Sequence, residues 1–151
     1  MKKVTDGAAL LAITAWVGSL WGIGYLAVPV LFQTLPDKML AGMLAGKMFS
    51  LVAYVGIASG CYLLLYQLNT FGKEAFRLAV FRAIFVMLLL AVVIQFGIQP
   101  VMASLKDLAF PSDVMHSAFA DRFKMLHGIS SILYLVQSLL GVLLVLKVRP
   151  K

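Results

Sequence analysis

Four stretches of the sequence run for about 20 residues with almost no charge, and nothing else in it limits the fold as much. About 20 helical residues, rising about 1.5 Å each, cross a hydrocarbon core of about 30 Å. In that layer every backbone N–H and C=O must be paired within the protein, which leaves helices or closed barrels. A barrel needs many short segments of alternating polarity, and these runs do not alternate. The sequence therefore predicts an all-α, integral membrane four-helix bundle. It forms a single transmembrane domain over 1–151, with spans at about 8–32, 45–68, 79–102 and 126–147.

Composition supports this reading. Only 13% of the 151 residues are charged, and the mean hydropathy is +0.99. That is too little charge to coat a water-soluble globule. A net charge of +7 would suggest a nucleic-acid partner in a soluble protein. Here the charges sit at the ends of apolar runs, so they describe topology, and no nucleic acid is expected. One side collects Lys2, Lys3, Lys73, Arg77, Arg82, Lys147, Arg149 and Lys151; the other has Lys38, Lys47, Lys106, Arg122 and Lys124. The positive-inside rule then gives an N-in/C-in protein. The opening MKKVTDG has the charge pattern of a signal sequence, but the apolar run continues to Phe32 without a small-x-small cleavage site. An uncleaved first helix is expected. Cys61, alone in an apolar run, reads as a packing residue.

The connections are legible, and the third, about Ala103 to Met125, is the longest. QTLPDK joins the first two helices, with Pro36 and Asp37 suited to opening the second. NTFGKEAF joins the second and third. In the third connection, Pro111-Ser112-Asp113 is a candidate helix start, from which a helix would run straight into the fourth span. Pro29 is expected to kink the first helix. Small residues four apart, Gly18/Gly22, Gly42/Gly46 and Gly56/Gly60, favour close packing of the first two helices.

Polar residues are costly in hydrocarbon, so their spacing is informative. In the fourth helix His127, Ser130, Tyr134 and Gln137 share one face, and Gly141 continues it. In the second, Lys47, Ser50 and Tyr54 form a similar row, which Cys61 extends. Gln95 and Gln99 lie one turn apart on the third, and Thr14, Gly18, Trp21 and Tyr25 share a face of the first. Folded together, these rows would line a pocket in the outer half of the bundle. The same residues also fit a purely structural role. Lys47 would snorkel, the serines would bond to their own helices, and the glutamines would tie helices together.

The ligand inventory implies no cofactor and no metal site. His116 and His127 are 11 residues apart, hence roughly 16 Å apart on one continuous helix. The eight methionines suit copper chemically but are scattered. Ser130 and His127 lack a third group that would orient a nucleophile, so catalysis is not expected. Asp113, Asp121, Arg122 and Lys124 read as a solvated face.

WVGSLWGIGYLAVPVLFQTLP, followed by AGMLAGKMF, resembles the start of bacterial membrane proteins grouped as domain-of-unknown-function family 4149. RFKMLHGISSILYLVQ resembles their last segment, and the eukaryotic transmembrane protein 205 family is similar at a greater distance. The matching positions are Trp16, Gly18, Pro29, Phe32, Phe49, Arg122, Phe123, Leu126, His127, Gly128 and Ser130. The resemblance implies a four-helix protein of the bacterial cytoplasmic membrane and supplies no activity. The architecture is also similar to copper-resistance D proteins and to the haem-binding membrane protoporphyrinogen oxidase family. That oxidase family places a histidine in its first helix, where this chain has none.

Three functions follow as expectations. The first is a structural or binding module that packs with itself or with other membrane proteins through its glycine faces. The second is a small-molecule, ion or metal carrier or sensor using the outer pocket. The third is a haem- or quinone-linked redox protein.

Overall fold

The structure, a computed structural model, describes residues 2–147, with side chains described from residue 5 onward. Arg149 and Lys151, and the side chains of Lys2 and Lys3, lie outside the described residues, so the charge count behind the N-in/C-in expectation falls partly on them. The helices are α1 (Lys2–Trp21), α2 (Val28–Thr34), α3 (Lys38–Phe71), α4 (Ala79–Val92), α5 (Gln99–Ala109) and α6 (Ala120–Lys147). They assemble into four apolar rods long enough to cross a membrane: Thr5–Thr34, Lys38–Arg77, Ala79–Ala109 and Ala120–Lys147. Each overshoots the span read from hydropathy, because helix continues into the polar layers where hydrophobicity has stopped.

The first and third rods are each two α-helices joined by a π-turn, Gly22–Ala27 and Val93–Ile98. Each π-turn ends two residues before a proline, Pro29 or Pro100. Proline lacks an N–H and its ring crowds the carbonyl four residues back. A widened turn just ahead of it accommodates both defects. The effect expected of Pro29 thus appears as a π-turn, and Pro100 repeats it.

Asp37 caps α3 as its position suggested, its carboxylate accepting from Met39 N at 2.9 Å and Leu40 N at 3.1 Å. Lys38 Nζ donates to Leu35 O at 3.0 Å, satisfying a carbonyl at the end of the preceding helix. Gly72 leaves α3 at φ +55°, a conformation that favours glycine. The third connection differs from expectation. Asp113 caps only a short 3-10 turn, Val114–His116. Ser117 then accepts from Phe119 N at 3.2 Å, and the long helix opens at Ala120. Ser117 makes a second local turn four positions beyond Asp113, and it interrupts the helix that Ser112 would have begun. His116 and His127 therefore do not share one continuous helix.

The apolar core lies in the half of the bundle nearer the chain termini. Ala9, Ile13, Trp16, Val17 and Leu20 of α1 meet Val52 and Leu63 of α3, Ile84 and Met87 of α4, and Leu144 of α6. Their spacing on α1 follows one helical stripe. Thr14, Gly18, Trp21 and Tyr25, read above as a pocket-facing row, lie instead on the exposed side of the first rod.

Candidate functional site

Among the described residues four polar side chains reach the main chain of another rod: Tyr62 OH donates to Thr5 O at 3.3 Å near the open end of the first rod, and three others lie deeper. Lys106 Nζ donates to Gly42 O at 3.0 Å, linking the third rod to the second. Gln137 Nε2 donates to Met87 O at 2.9 Å, linking the fourth to the third. Tyr134 OH donates to Leu20 O at 2.6 Å, linking the fourth to the first. A carbonyl oxygen has two lone pairs, so it accepts such a bond without leaving its own helix. Together the three bonds join all four rods in series.

Tyr134 enters the first rod where the π-turn begins. Its hydroxyl is bonded to Leu20 O and lies close beside Gly24. A Cβ at Gly24 would stand 2.5 Å from Tyr134 Cε1 and 2.8 Å from the hydroxyl, so only glycine admits the ring. Phe49 meets Tyr134 edge-on at 5.3 Å between centroids, and Tyr25 does so at 6.2 Å. The chemistry needed here is an acceptor carbonyl, a missing side chain and an aromatic ring of the right length.

Other residues of the expected outer pocket are distributed differently. Lys47 and His127 are exposed, and Tyr54 lies on the outside of the bundle against Phe96 at 6.5 Å. His127 stacks on Phe123, with centroids 6.1 Å apart. Ser130 Oγ donates to His127 O at 2.9 Å within its own helix, and Ser131 does the same at 2.8 Å. Ser50 and Gln99 are half-buried, and Gln95 is buried in the second π-turn with Oε1 unpaired. The geometry gathers Tyr134 and Gln137 inside the bundle while Lys47, Tyr54 and His127 stay at its surface. Cys61 is exposed as well, so the packing role read for it does not hold within this chain.

Of the three glycine pairs, Gly56/Gly60 alone is filled from the first rod. A Cβ at Gly56 would lie 2.4 Å from Trp16 Nε1, and one at Gly60 would lie 3.1 Å from the far edge of the indole. Trp16 is fully buried across this face. Gly18, Gly22 and Gly46 have no atom within 4 Å of a built Cβ, and Gly42 has only contacts at 3.9 Å. The first two helices do pack closely, but through one glycine pair rather than three. Gly141 is also filled, by Val17 at 3.2 Å.

Lys106 was read only as a topology charge. It is half-buried, bonded to Gly42 O, and stands 5.5 Å over the Phe123 ring. Gln67 escaped notice too, although it extends the Gly56/Gly60 face at helical spacing and is buried. Among the described residues, no three of His, Cys, Asp and Glu come together as a metal site would require.

A family model described as "Domain of unknown function (DUF4149)" matches residues 11–111, about two-thirds of the chain. The Leu126-His127-Gly128 segment lies beyond that match. No curated protein and no solved structure matches the chain.

Proposed function

We propose that this chain, which belongs to the DUF4149 family, is a multi-pass membrane docking module that associates with a second copy of itself through the Gly18/Gly22 face. What carries the reading is the difference between two glycine pairs. Gly56/Gly60 is occupied by Trp16 from the same chain, whereas Gly18/Gly22 faces outward with open space above both residues. In lipid, helices associate through close packing and polar bonds rather than hydrophobic burial, so an outward glycine pair is where a second helix gains most contact. A two-fold dimer would set the same face of each copy against the other.

The inward polar groups support the same reading. Lys106, Tyr134 and Gln137 each end on a backbone carbonyl of a neighbouring rod. Groups used in this way hold a bundle together and leave little for ligand chemistry.

The test is self-association in lipid vesicles, read by energy transfer between two labelled populations as the protein is diluted. The native chain is expected to dimerise. Gly18→Leu and Gly22→Leu are expected to weaken association tenfold or more while the bundle melts unchanged. A native chain that stays monomeric at every protein-to-lipid ratio, or variants that associate as the native chain does, would overturn the proposal.

A further inference from the structure

The second π-turn divides the third rod into two parts that are anchored differently. On the side nearer the termini, Ile84 and Met87 of α4 are fully buried in the apolar core. On the other side, Leu105 and Ala109 of α5 belong to a separate small cluster, with Val114, Phe119, Phe123 and Leu126. That cluster fixes α5 to the third connection and to the start of α6, and it contains no residue of α3. Among the described residues, the bond from Lys106 Nζ to Gly42 O at 3.0 Å is the one hydrogen bond that joins α5 to another rod. The second and fourth rods hold α3 and α6 as unbroken α-helices, whereas the third has a joint at Val93–Ile98, just ahead of Pro100.

The observed position of α5 satisfies one polar group and leaves another unsatisfied. Lys106 has its acceptor. Gln95, within the joint, is 9% exposed, and its Oε1 is buried with no hydrogen-bond partner. The π-turn packs on α3 and α6, so a swing of α5 away from α3 loosens the walls around Gln95 and admits water to its amide. The same swing breaks the Lys106 bond. One hydrogen bond lost and one buried acceptor relieved are of the same order. Two positions close in free energy are what a two-state element needs.

We infer that α5 is a hinged strap, turning on Val93–Ile98 and latched to α3 by Lys106 on Gly42 O, with the unpaired Gln95 amide biasing it open. Lys106 keeps its place over the Phe123 ring in both positions, because that ring belongs to the cluster that α5 retains. Opening parts the second and third rods at the end away from the termini. Gly18 and Gly22 lie on the first rod, so the inference does not rest on the dimer.

Double electron–electron resonance on the full chain in lipid vesicles tests it. Cys61→Ser removes the native thiol, and unlabelled chain in excess ensures that only distances within one chain are read. Spin labels at Met43→Cys and Leu108→Cys span α3 and α5; labels at Leu65→Cys and Phe85→Cys span α3 and α4, and all four positions are exposed. With no further substitution, two distances are expected across α5 and one across α4. Lys106→Met should raise the ratio of long to short distance about fivefold, the scale of one hydrogen bond. Gln95→Leu should lower it about fivefold, since it removes the acceptor that favours opening. Opposite signs separate a latch and its counterweight from two residues that merely pack, whose loss would loosen the bundle both times. Shifts in the same direction would overturn the proposal, as would a shift equally large across α4. So would a single distance across α5, as narrow as that across α4, before either Lys106 or Gln95 is changed. That last comparison decides the matter even where a variant fails to fold.

Discussion

Around Trp16 the four rods meet through apolar side chains laid against glycine. Around Tyr134, farther from the termini, they meet through aromatic edges and a hydroxyl set into a π-turn. The first region has its indole in place of two missing side chains on α3. The second has its ring in place of one missing side chain, at Gly24. In lipid the first gains stability from dispersion over a large contact. The second adds a directed bond to Leu20 O. Added atoms should therefore harm both regions, but only the second should lose stability when a single polar atom is removed.

The largest effect is expected at Gly56. A leucine there has no room, because even its Cβ would lie 2.4 Å from the indole nitrogen. Gly56→Leu should cost about 3 kcal/mol or more, beyond the usual overpacking range because the obstacle is a large buried ring. Reversible unfolding in mixed micelles, followed by far-ultraviolet circular dichroism, measures it. Gly18→Leu in the same assay, at a concentration where the chain is monomeric, should stay within about 0.5 kcal/mol. Equal losses at the two positions would erase the distinction between the inner and outer glycine pairs.

Next in size is the coupling between Gly24 and Tyr134. Gly24→Ala should cost about 2 kcal/mol, since the new methyl meets the ring at 2.5 Å. In a Tyr134→Ala background the same change should cost about 0.5 kcal/mol or less, giving a coupling well above the error of a double-mutant cycle. An additive result would mean that the ring and the π-turn are independent features.

These two glycines also mark where the sequence was legible and where it was not. The four spans and the Asp37 cap were readable because length, charge and capping chemistry are local properties. Gln137 was readable as an inward residue because a buried amide must find a partner. The choice among three glycine pairs was not, since a glycine row looks the same whether Trp16 fills it or nothing does. The inward face of α1 was misread for a related reason. That helix is apolar almost all round, and in lipid such a helix has no hydrophobic stripe to announce its buried side. Polar spacing then stood in for packing, and it pointed to Thr14 and Gly18 instead of Ile13 and Val17. The break at Ser117 was hidden because Asp113 and Ser117 both carry side-chain oxygens that accept from a backbone N–H two residues on, and their spacing in the sequence does not rank them.

The smallest effects fall on the fourth helix, where two residues of one polar row have different roles. Gln137 donates to another rod, and Ser130 donates to its own helix. Gln137→Leu should destabilise the bundle by about 1 kcal/mol, near the middle of the range for interhelical bonds in membranes. Ser130→Ala should change it by less than about 0.3 kcal/mol, because the carbonyl it leaves belongs to a helix that already satisfies it. The same micelle unfolding assay resolves the two. A Ser130→Ala loss as large as that at Gln137 would mean that the serine serves something outside its own helix, and would return His127 and Ser130 to consideration as a ligand site. The expected inequality instead follows from where each hydrogen bond ends, since a bond that closes within one helix resists none of the separation that unfolds the bundle.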